Sequence, residues 1–338
     1  MSLCNSDELL GTLDRIASIP VLVVGDMMLD RYIWGRVDRI SAEAPVPVVE
    51  VVRSEDRLGG AGNVVRNLCR IGAKVSVCGL IGDDDEGQQL LSLLAEIGAE
   101  KDGVLVDRSR PTTLKTRVIA QNQQMVRIDR EKTSGESAAL SEGVAGVLDA
   151  HIDANRAVIV SDYGKGAISA AVLRRLDEAW KLGRLGLASR PLFVDPHPRN
   201  YSAYRRMSVA KPNRKEAEIA SGVSIKSVAD AFHAADVLMK RWNAELMVIT
   251  LGEDGMIVQQ AGTADGIHLE TTAVEVFDVS GAGDTVTALF SAALAVGATP
   301  AVAGTLANIA AGIVVSEVGT VAIDCDRLRA EISRLSAR

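Results

Sequence analysis

The hydropathy of the chain alternates between short apolar runs and stretches of helical period. Residues 19–24 are apolar and end at Gly25, the pattern of a strand buried on both faces. Residues 74–80, 157–160, 192–194 and 246–251 read the same way. One helical pattern follows Gly62 through Val64, Val65, Leu68 and Cys69, and another spans 88–97 and is closed by Gly98. Strands alternating with helices predict βαβ units and an α/β fold with a mostly parallel sheet.

Two stretches break this rhythm. Residues 32–52 contain Pro45 and Pro47, and residues 112–129 alternate Val126 and Ile128 with Arg127 and Asp129. Both are rich in β-branched residues and lack helical period, so they predict half-exposed strands. They read as a small sheet inserted over about 32–54 and 112–130, standing off the main body as a lid. No repeat, long linker or low-complexity tract divides residues 1–338, and a single domain is expected. Residues 285–316 carry no charge, longer than the ~20 residues that span a bilayer. They are rich in Ala, Gly, Thr and Ser and are broken at Gly297-Ala298-Thr299-Pro300, which predicts two buried helices rather than a membrane span.

Composition narrows the picture. Hydrophobic residues make up 47% but aromatics only 3%, so the core is built of small aliphatic side chains that suit helices packed on a sheet. A net charge of -7 excludes general attraction to nucleic acid or an anionic membrane, and an anionic substrate must be held by local groups. Cys4, Cys69, Cys78 and Cys325 form no CxxC pair, which argues for reduced thiols rather than a zinc site or a disulfide scaffold. Residues 1–15 are polar and unlike a signal peptide, and a cytoplasmic location is expected.

Four segments carry candidate chemistry. In Asp278-Val279-Ser280-Gly281-Ala282-Gly283-Asp284, a glycine-rich turn opens an alanine-rich helix. The free N–H groups of a helix start attract anions, and Gly281, Ala282 and Gly283 let a phosphoryl group approach the backbone. Asp284 would stand beside the acceptor, where a carboxylate can take a hydroxyl proton. Gly59-Gly60-Ala61-Gly62-Asn63 offers a flat backbone surface and an amide for sugar hydroxyls, or is a plain tight turn. In Lys211-Pro212-Asn213-Arg214-Lys215-Glu216, Asn213 and Glu216 suit water-mediated Mg²⁺ binding, but the spacing also describes an Asn-Glu helix cap, which the local pattern favours. Thr250-Leu251-Gly252-Glu253-Asp254-Gly255 could support a nucleotide or form only a turn. GxxxxGK[ST], HExxH and HxGH are absent, so P-loop and zincin chemistry are excluded.

In order and spacing the four segments resemble the carbohydrate kinase family that includes ribokinase, fructokinase and adenosine kinase, over nearly the whole chain. The resemblance implies a ribokinase-like, doubly wound α/β core with a small β lid. It implies Asp284 as general base, and Gly281, Ala282 and Gly283 as the anion hole. Nucleotide contacts fall at Asn213, Thr250, Gly252, Gly255 and Asn308, and Mg²⁺ with ATP near Asn213 and Glu216. Asp30, Gly59, Gly60 and Asn63 fall where the family binds sugar hydroxyls. The family's usual Asp-Thr is Asp278-Val279-Ser280 here, which puts a monovalent cation near Asp278 and Ser280 in question.

Three further stretches resemble bacterial heptose 7-phosphate kinases: residues 39–48, Asn122-Gln123-Gln124-Met125-Val126-Arg127, and Ser161-Asp162-Tyr163-Gly164-Lys165-Gly166. Those enzymes phosphorylate C1 of D-glycero-β-D-manno-heptose 7-phosphate, on the route to the ADP-heptose used in lipopolysaccharide. Some relatives carry a fused nucleotidyltransferase with HxGH, and the chain resembles the kinase-only form. Lys115, Arg117, Arg127 and Lys165 are then candidates for the substrate phosphate, with Asp162 on the sugar side, although any one of these cations can equally be a solvated lid charge. Lys165 and Arg117 lead among them. Another sugar, sugar-phosphate or nucleoside kinase of the same fold, and a non-catalytic ATP- or sugar-binding regulator, are the alternatives. Val46, Val48, Val126 and Ile128 would leave apolar strands open to water, so a homodimer through the lid is expected.

Overall fold

The structure, a computed structural model, describes residues 4–121, 123–132, 138–263, 266–273, 278–317 and 319–336. Asn122, named above, lies outside them. In chain order the strands are β1 (Pro20–Gly25), β2 (Met27–Ile40), β3 (Pro47–Gly60), β4 (Lys74–Gly82), β5 (Glu100–Asp107), β6 (Thr113–Ala120), β7 (Gln123–Arg130), β8 (Ala157–Ser161), β9 (Leu192–Asp195), β10 (Met207–Ala210), β11 (Ala244–Thr250), β12 (Met256–Gln260) and β13 (Ile267–Leu269). The helices are α1 (Ser6–Ile16), α2 (Ala61–Arg70), α3 (Asp85–Glu96), α4 (Ala138–His151), α5 (Ala170–Lys181), α6 (Arg214–Ser221), α7 (Val228–Trp242), α8 (Ala282–Ala295), α9 (Pro300–Val314) and α10 (Cys325–Ser336).

Nine strands form one sheet in the order β13-β12-β11-β10-β9-β8-β1-β4-β5, parallel from β11 through β5 and antiparallel at the β12–β13 edge. The alternation of side chains along β1 shows why it reads as an unbroken apolar run. Val21 and Val23 enter the core under α2 and α8, while Leu22 and Val24 enter the opposite core under α4, α5 and α7. The charge-free stretch is α8 and α9, with Gly297 to Thr299 between them. From Asp284 to Ala295 every residue of α8 is buried, which explains its composition. Among the described residues no helix is long and apolar enough to cross a membrane. Among the described residues no cysteine forms a disulfide, and burial pushes the thiols of Cys69 and Cys78 up to about 11 and about 12.

A second, four-stranded sheet of order β3-β2-β6-β7 is the lid. It is longer than the sequence pattern indicates, because its roots are as apolar as the core strands. β2 starts at Met27, with only Asp26 between it and the end of β1, and Met27, Met28 and Leu29 are buried. The turn expected at Gly59–Asn63 is not a loop: β3 runs directly into α2 at Ala61. Gly60 makes this possible with φ +55°, and a Cβ there would lie 2.8 Å from the Asp26 carbonyl oxygen.

Candidate active site

Open parallel sheets bind ligands beyond the carboxyl ends of their strands, where the strand order reverses. Here the chain moves outward from β1 through β4 to β5, then returns to β8 on the other side of β1. Asp26, Asp162, Asp195 and Lys211 stand at or just past the ends of β1, β8, β9 and β10. Asp26 is buried and organises the loop after β8. Its Oδ2 accepts the backbone N–H groups of Tyr163 and Lys165 (2.8 and 2.9 Å), and its Oδ1 accepts that of Ala167 (2.8 Å).

Asp284 lies in the first turn of α8, behind Gly281 with φ +85°. A Cβ on Gly281 would meet the Asn63 amide nitrogen at 2.7 Å, so glycine is required by backbone conformation and by space. Both oxygens of Asp284 are engaged. Asn63 Nδ2 donates to Oδ2 at 2.8 Å, and the Tyr163 hydroxyl donates to Oδ1 at 2.5 Å. Burial pushes this carboxyl up to about 6. The Tyr163 and Asn63 bonds pull it down, Asp195 pushes it up and Lys211 pulls it down. A carboxylate of that basicity is better suited to general base work near neutrality than an ordinary aspartate. In ¹³C-labelled free protein we expect a carboxyl signal titrating near pH 6, protonated below and ionised above, that is missing from Asp284→Asn; if all carboxyls titrate below pH 5, this reading of the site is wrong.

Lys211 is buried, with its ammonium 3.0 Å from Asp195 Oδ2, which also accepts the Thr287 hydroxyl at 3.1 Å. Burial alone would lower its basicity, but Asp195 and Glu216 raise it. A Cβ on Gly283 would lie 3.4 Å from Nζ, so this cation stands beside the helix start. Sequence reasoning passed over Lys211, Asp195, Tyr163 and His197, which lines the same cleft. The available signal was a polar residue at the end of a buried apolar strand or within two positions of it.

The cleft, about 1050 Å³, brings together Asn213, Glu216, Thr250, Gly252, Gly255, Asn308 and the Gly281–Asp284 turn. The helix-cap alternative for Asn213 and Glu216 is realised in full. Asn213 Oδ1 accepts the Glu216 N–H at 3.0 Å, and Glu216 Oε2 accepts the Asn213 N–H at 2.9 Å. Burial and Asp195 push the Glu216 carboxyl up. Among the described residues its Oε1 makes no hydrogen bond, so an acceptor still faces the cleft beside Asp195. Gly255 is fixed by close approach, since its Cβ would fall 2.0 Å from the Leu269 carbonyl oxygen. The Asn308 side chain donates to the Glu270 carbonyl at 2.7 Å and braces the cleft wall. Asp278 accepts the N–H groups of Ser280 (2.8 Å) and Gly319 (3.0 Å), so both its oxygens hold backbone.

On the lid side several sequence candidates have other partners. Arg117 Nη1 lies 2.7 Å from Asp30 Oδ1, and the Thr320 hydroxyl donates to Asp30 Oδ2 at 3.3 Å. Lys165 pairs with Glu131 at 2.7 Å, and Arg127 with Asp129 at 2.9 Å on the exposed β7. Asp162 is buried and engaged by the Tyr204 hydroxyl (2.5 Å), Asn200 Nδ2 (2.6 Å) and the Gly164 N–H (2.8 Å). Burial, then the Asp26 charge, push it up to about 6. Its side chain therefore shapes the loop that presents Tyr163. Asn63, read as a sugar contact, donates to Asp284. Gly59 must be small, because its Cβ would come 2.6 Å from Asp30 Oδ2. Lys115 differs from the other cations: among the described residues no carboxylate lies in salt-bridge range, and its ammonium sits 5.7 Å from the Tyr163 ring centre. Burial lowers its basicity, against the attraction of Asp30.

A doubly wound sheet with a lid, and a buried aspartate behind a Gly-Ala-Gly helix start, define the class as sugar kinase. The chain belongs to the pfkB family of carbohydrate kinases, whose family model matches residues 19–325. It is 47% identical over 320 residues to the bifunctional protein HldE of Citrifermentans bemidjiense, covering 94% of this chain and 64% of that protein. It is 46% identical over 316 residues to the HldE protein of Desulfatibacillum aliphaticivorans, covering 94% and 63%. The chain thus spans just under two thirds of the length of these curated relatives. Among solved structures, Arabidopsis thaliana ribokinase complexed with ribose and ATP superposes with a TM-score of 0.71 at 18% identity, covering 95% of this chain and 99% of that one. Escherichia coli phosphofructokinase-2 in complex with substrates and products gives 0.74 at 19%, covering 95% and 100%. At these identities the likeness establishes the fold.

Proposed function

We propose that the chain transfers the γ-phosphoryl group of ATP to the C1 hydroxyl of D-glycero-β-D-manno-heptose 7-phosphate, as one kinase domain with an inserted lid. The observation that carries the reading is the buried Asp284 carboxylate, fixed by two donors at a Gly-Ala-Gly helix start that lines the cleft. As the hydroxyl oxygen attacks phosphorus, Asp284 takes its proton, and the N–H groups of Gly281 and Gly283 with Lys211 meet the growing negative charge. The lid and loop stretches that resemble heptose 7-phosphate kinases, and the HldE relatives, support this acceptor over other sugars. Glu216 Oε1 and Asp195 fit Mg²⁺ held through water, an ion that would screen the phosphate charges of ATP. A labelled-ATP transfer assay over a panel of sugars, sugar phosphates and nucleosides tests the reading. Heptose 7-phosphate should be the preferred acceptor; preference for a nucleoside or a plain sugar would overturn it.

The lid supports pairing with a second copy of the chain. Ile40, Val51, Val52 and Ile128 are each more than half exposed, at 62, 59, 63 and 57%, and Val46 and Val126 are close to half. Val48 is half-buried instead. Sedimentation at micromolar concentration should give a dimer, and Val51→Lys with Ile128→Lys should give a monomer. A monomeric native chain contradicts this proposal.

A further inference from the structure

The loop after β8 touches the carboxylate assigned as base. Tyr163 is held there by its backbone N–H on Asp26, and the neighbouring N–H groups of Lys165 and Ala167 bind the same carboxylate. The loop is therefore anchored to the junction between core and lid. From this anchor the hydroxyl reaches Asp284 Oδ1 at 2.5 Å, while the ring faces the Lys115 ammonium on lid strand β6. Asn63, on α2, holds the other oxygen. A carboxylate gripped at both oxygens cannot rotate about its last bond, so the direction of its remaining lone pairs is set before substrate arrives.

We propose that Tyr163 is a positioning residue for phosphoryl transfer: its hydroxyl aims the Asp284 carboxylate at the acceptor hydroxyl and links that carboxylate to the lid through Lys115. The proposal rests on Asp284 being the base. Tyr163 acts only through Asp284, and its own proton stays in place because burial, followed by the Asp284 charge, pushes the phenol well above its ordinary value. The charged groups around the pair are Asp195 and Lys211 on the core side of Asp284, and Asp30 and Lys115 on the lid side of Tyr163. None of these is a hydroxyl donor able to replace it. Loss of the Tyr163 bond removes an influence that favours the ionised form, so the Asp284 carboxyl must become more basic.

Tyr163→Phe keeps the ring and its contact with Lys115 and deletes only the donor. We expect kcat to fall about tenfold, with the KM for ATP within about twofold of wild type. The Asp284 carboxyl signal should titrate at higher pH than in the parent. A merely structural tyrosine would lower the melting temperature and leave that midpoint in place. An unchanged kcat and an unchanged midpoint overturn the proposal. A second measurement needs no Tyr163 variant: with tyrosine labelled at ¹³Cζ, one of the four tyrosine signals should move on Asp284→Asn, and no movement overturns the proposal equally. If Asp284→Asn retains full turnover, the base assignment itself fails. If that variant is inactive while Tyr163→Phe behaves as wild type, only the role of Tyr163 fails.

Discussion

Asp284→Asn should remove at least ~10²-fold of turnover while leaving ATP and sugar binding near wild-type values. The substitution keeps the size of the side chain and deletes its affinity for a proton. It also disturbs one of its two hydrogen bonds, because Tyr163 and Asn63 both donate and an amide has only one acceptor oxygen. The backbone N–H groups of the Gly281–Gly283 turn and the Lys211 ammonium are untouched, so the phosphates should still find their partners. The loss should therefore fall on kcat rather than on KM. The variant should not be less stable at neutral pH through its charge. Asp284 is raised above an ordinary aspartate, so its ionisation takes away stability as pH climbs from about 4 to about 6, and the loss is then complete and constant at higher pH. A variant that turns over at near wild-type rate would remove Asp284 from the mechanism.

Lys115→Ala should lower kcat/KM for the phosphorylated sugar by about ten- to hundredfold, the size of a lost charge-assisted contact. The structure moves this prediction away from Lys165 and Arg117. Lys165 is neutralised by Glu131 and Arg117 by Asp30, whereas Lys115 is desolvated with no carboxylate in salt-bridge range among the described residues. A partly buried cation without a counter-ion is costly unless an anion arrives to join it. The KM for ATP should stay unchanged, because the cleft that gathers Asn213, Thr250 and Gly255 lies at the ends of β10 and β11, away from β6. Non-phosphorylated heptose should be a poor substrate and respond little. Arg117→Ala gives the contrast: it strips Asp30 of its partner and should impair both sugars. Equal sensitivity of the two sugars to Lys115→Ala would dissociate this lysine from the phosphate.

Much of this was legible in the sequence because core strands and the glycine-rich turn before α8 depend on local pattern. Residues 19–24 had to be buried on both faces, and an uncharged stretch broken at Gly297–Pro300 had to be two buried helices; β1, α8 and α9 are those elements. The Gly281–Asp284 turn was visible because glycine and alanine before a helix have few other uses. What escaped were partners distant in sequence. Nothing near Asn63 says that it will donate to Asp284, 221 residues away, nor near Tyr163 that it will do so across 121. The lid cations could not be ranked either, because a lysine's worth to a phosphate depends on whether a carboxylate has already taken it. Asn213 and Glu216 show the opposite limit. Local spacing described their helix cap correctly, and only the cleft around them adds the possibility of a metal.

The central claim is phosphoryl transfer to the anomeric hydroxyl of a sugar that already bears a phosphate. ³¹P NMR of the protein with ATP, Mg²⁺ and D-glycero-β-D-manno-heptose 7-phosphate tests it most directly. The account predicts one new phosphomonoester signal coupled to the anomeric proton, growing in step with ADP, and little or none when heptose without its phosphate is supplied. A new signal on any other carbon, equal use of both sugars, or ADP formed with no sugar product would contradict it.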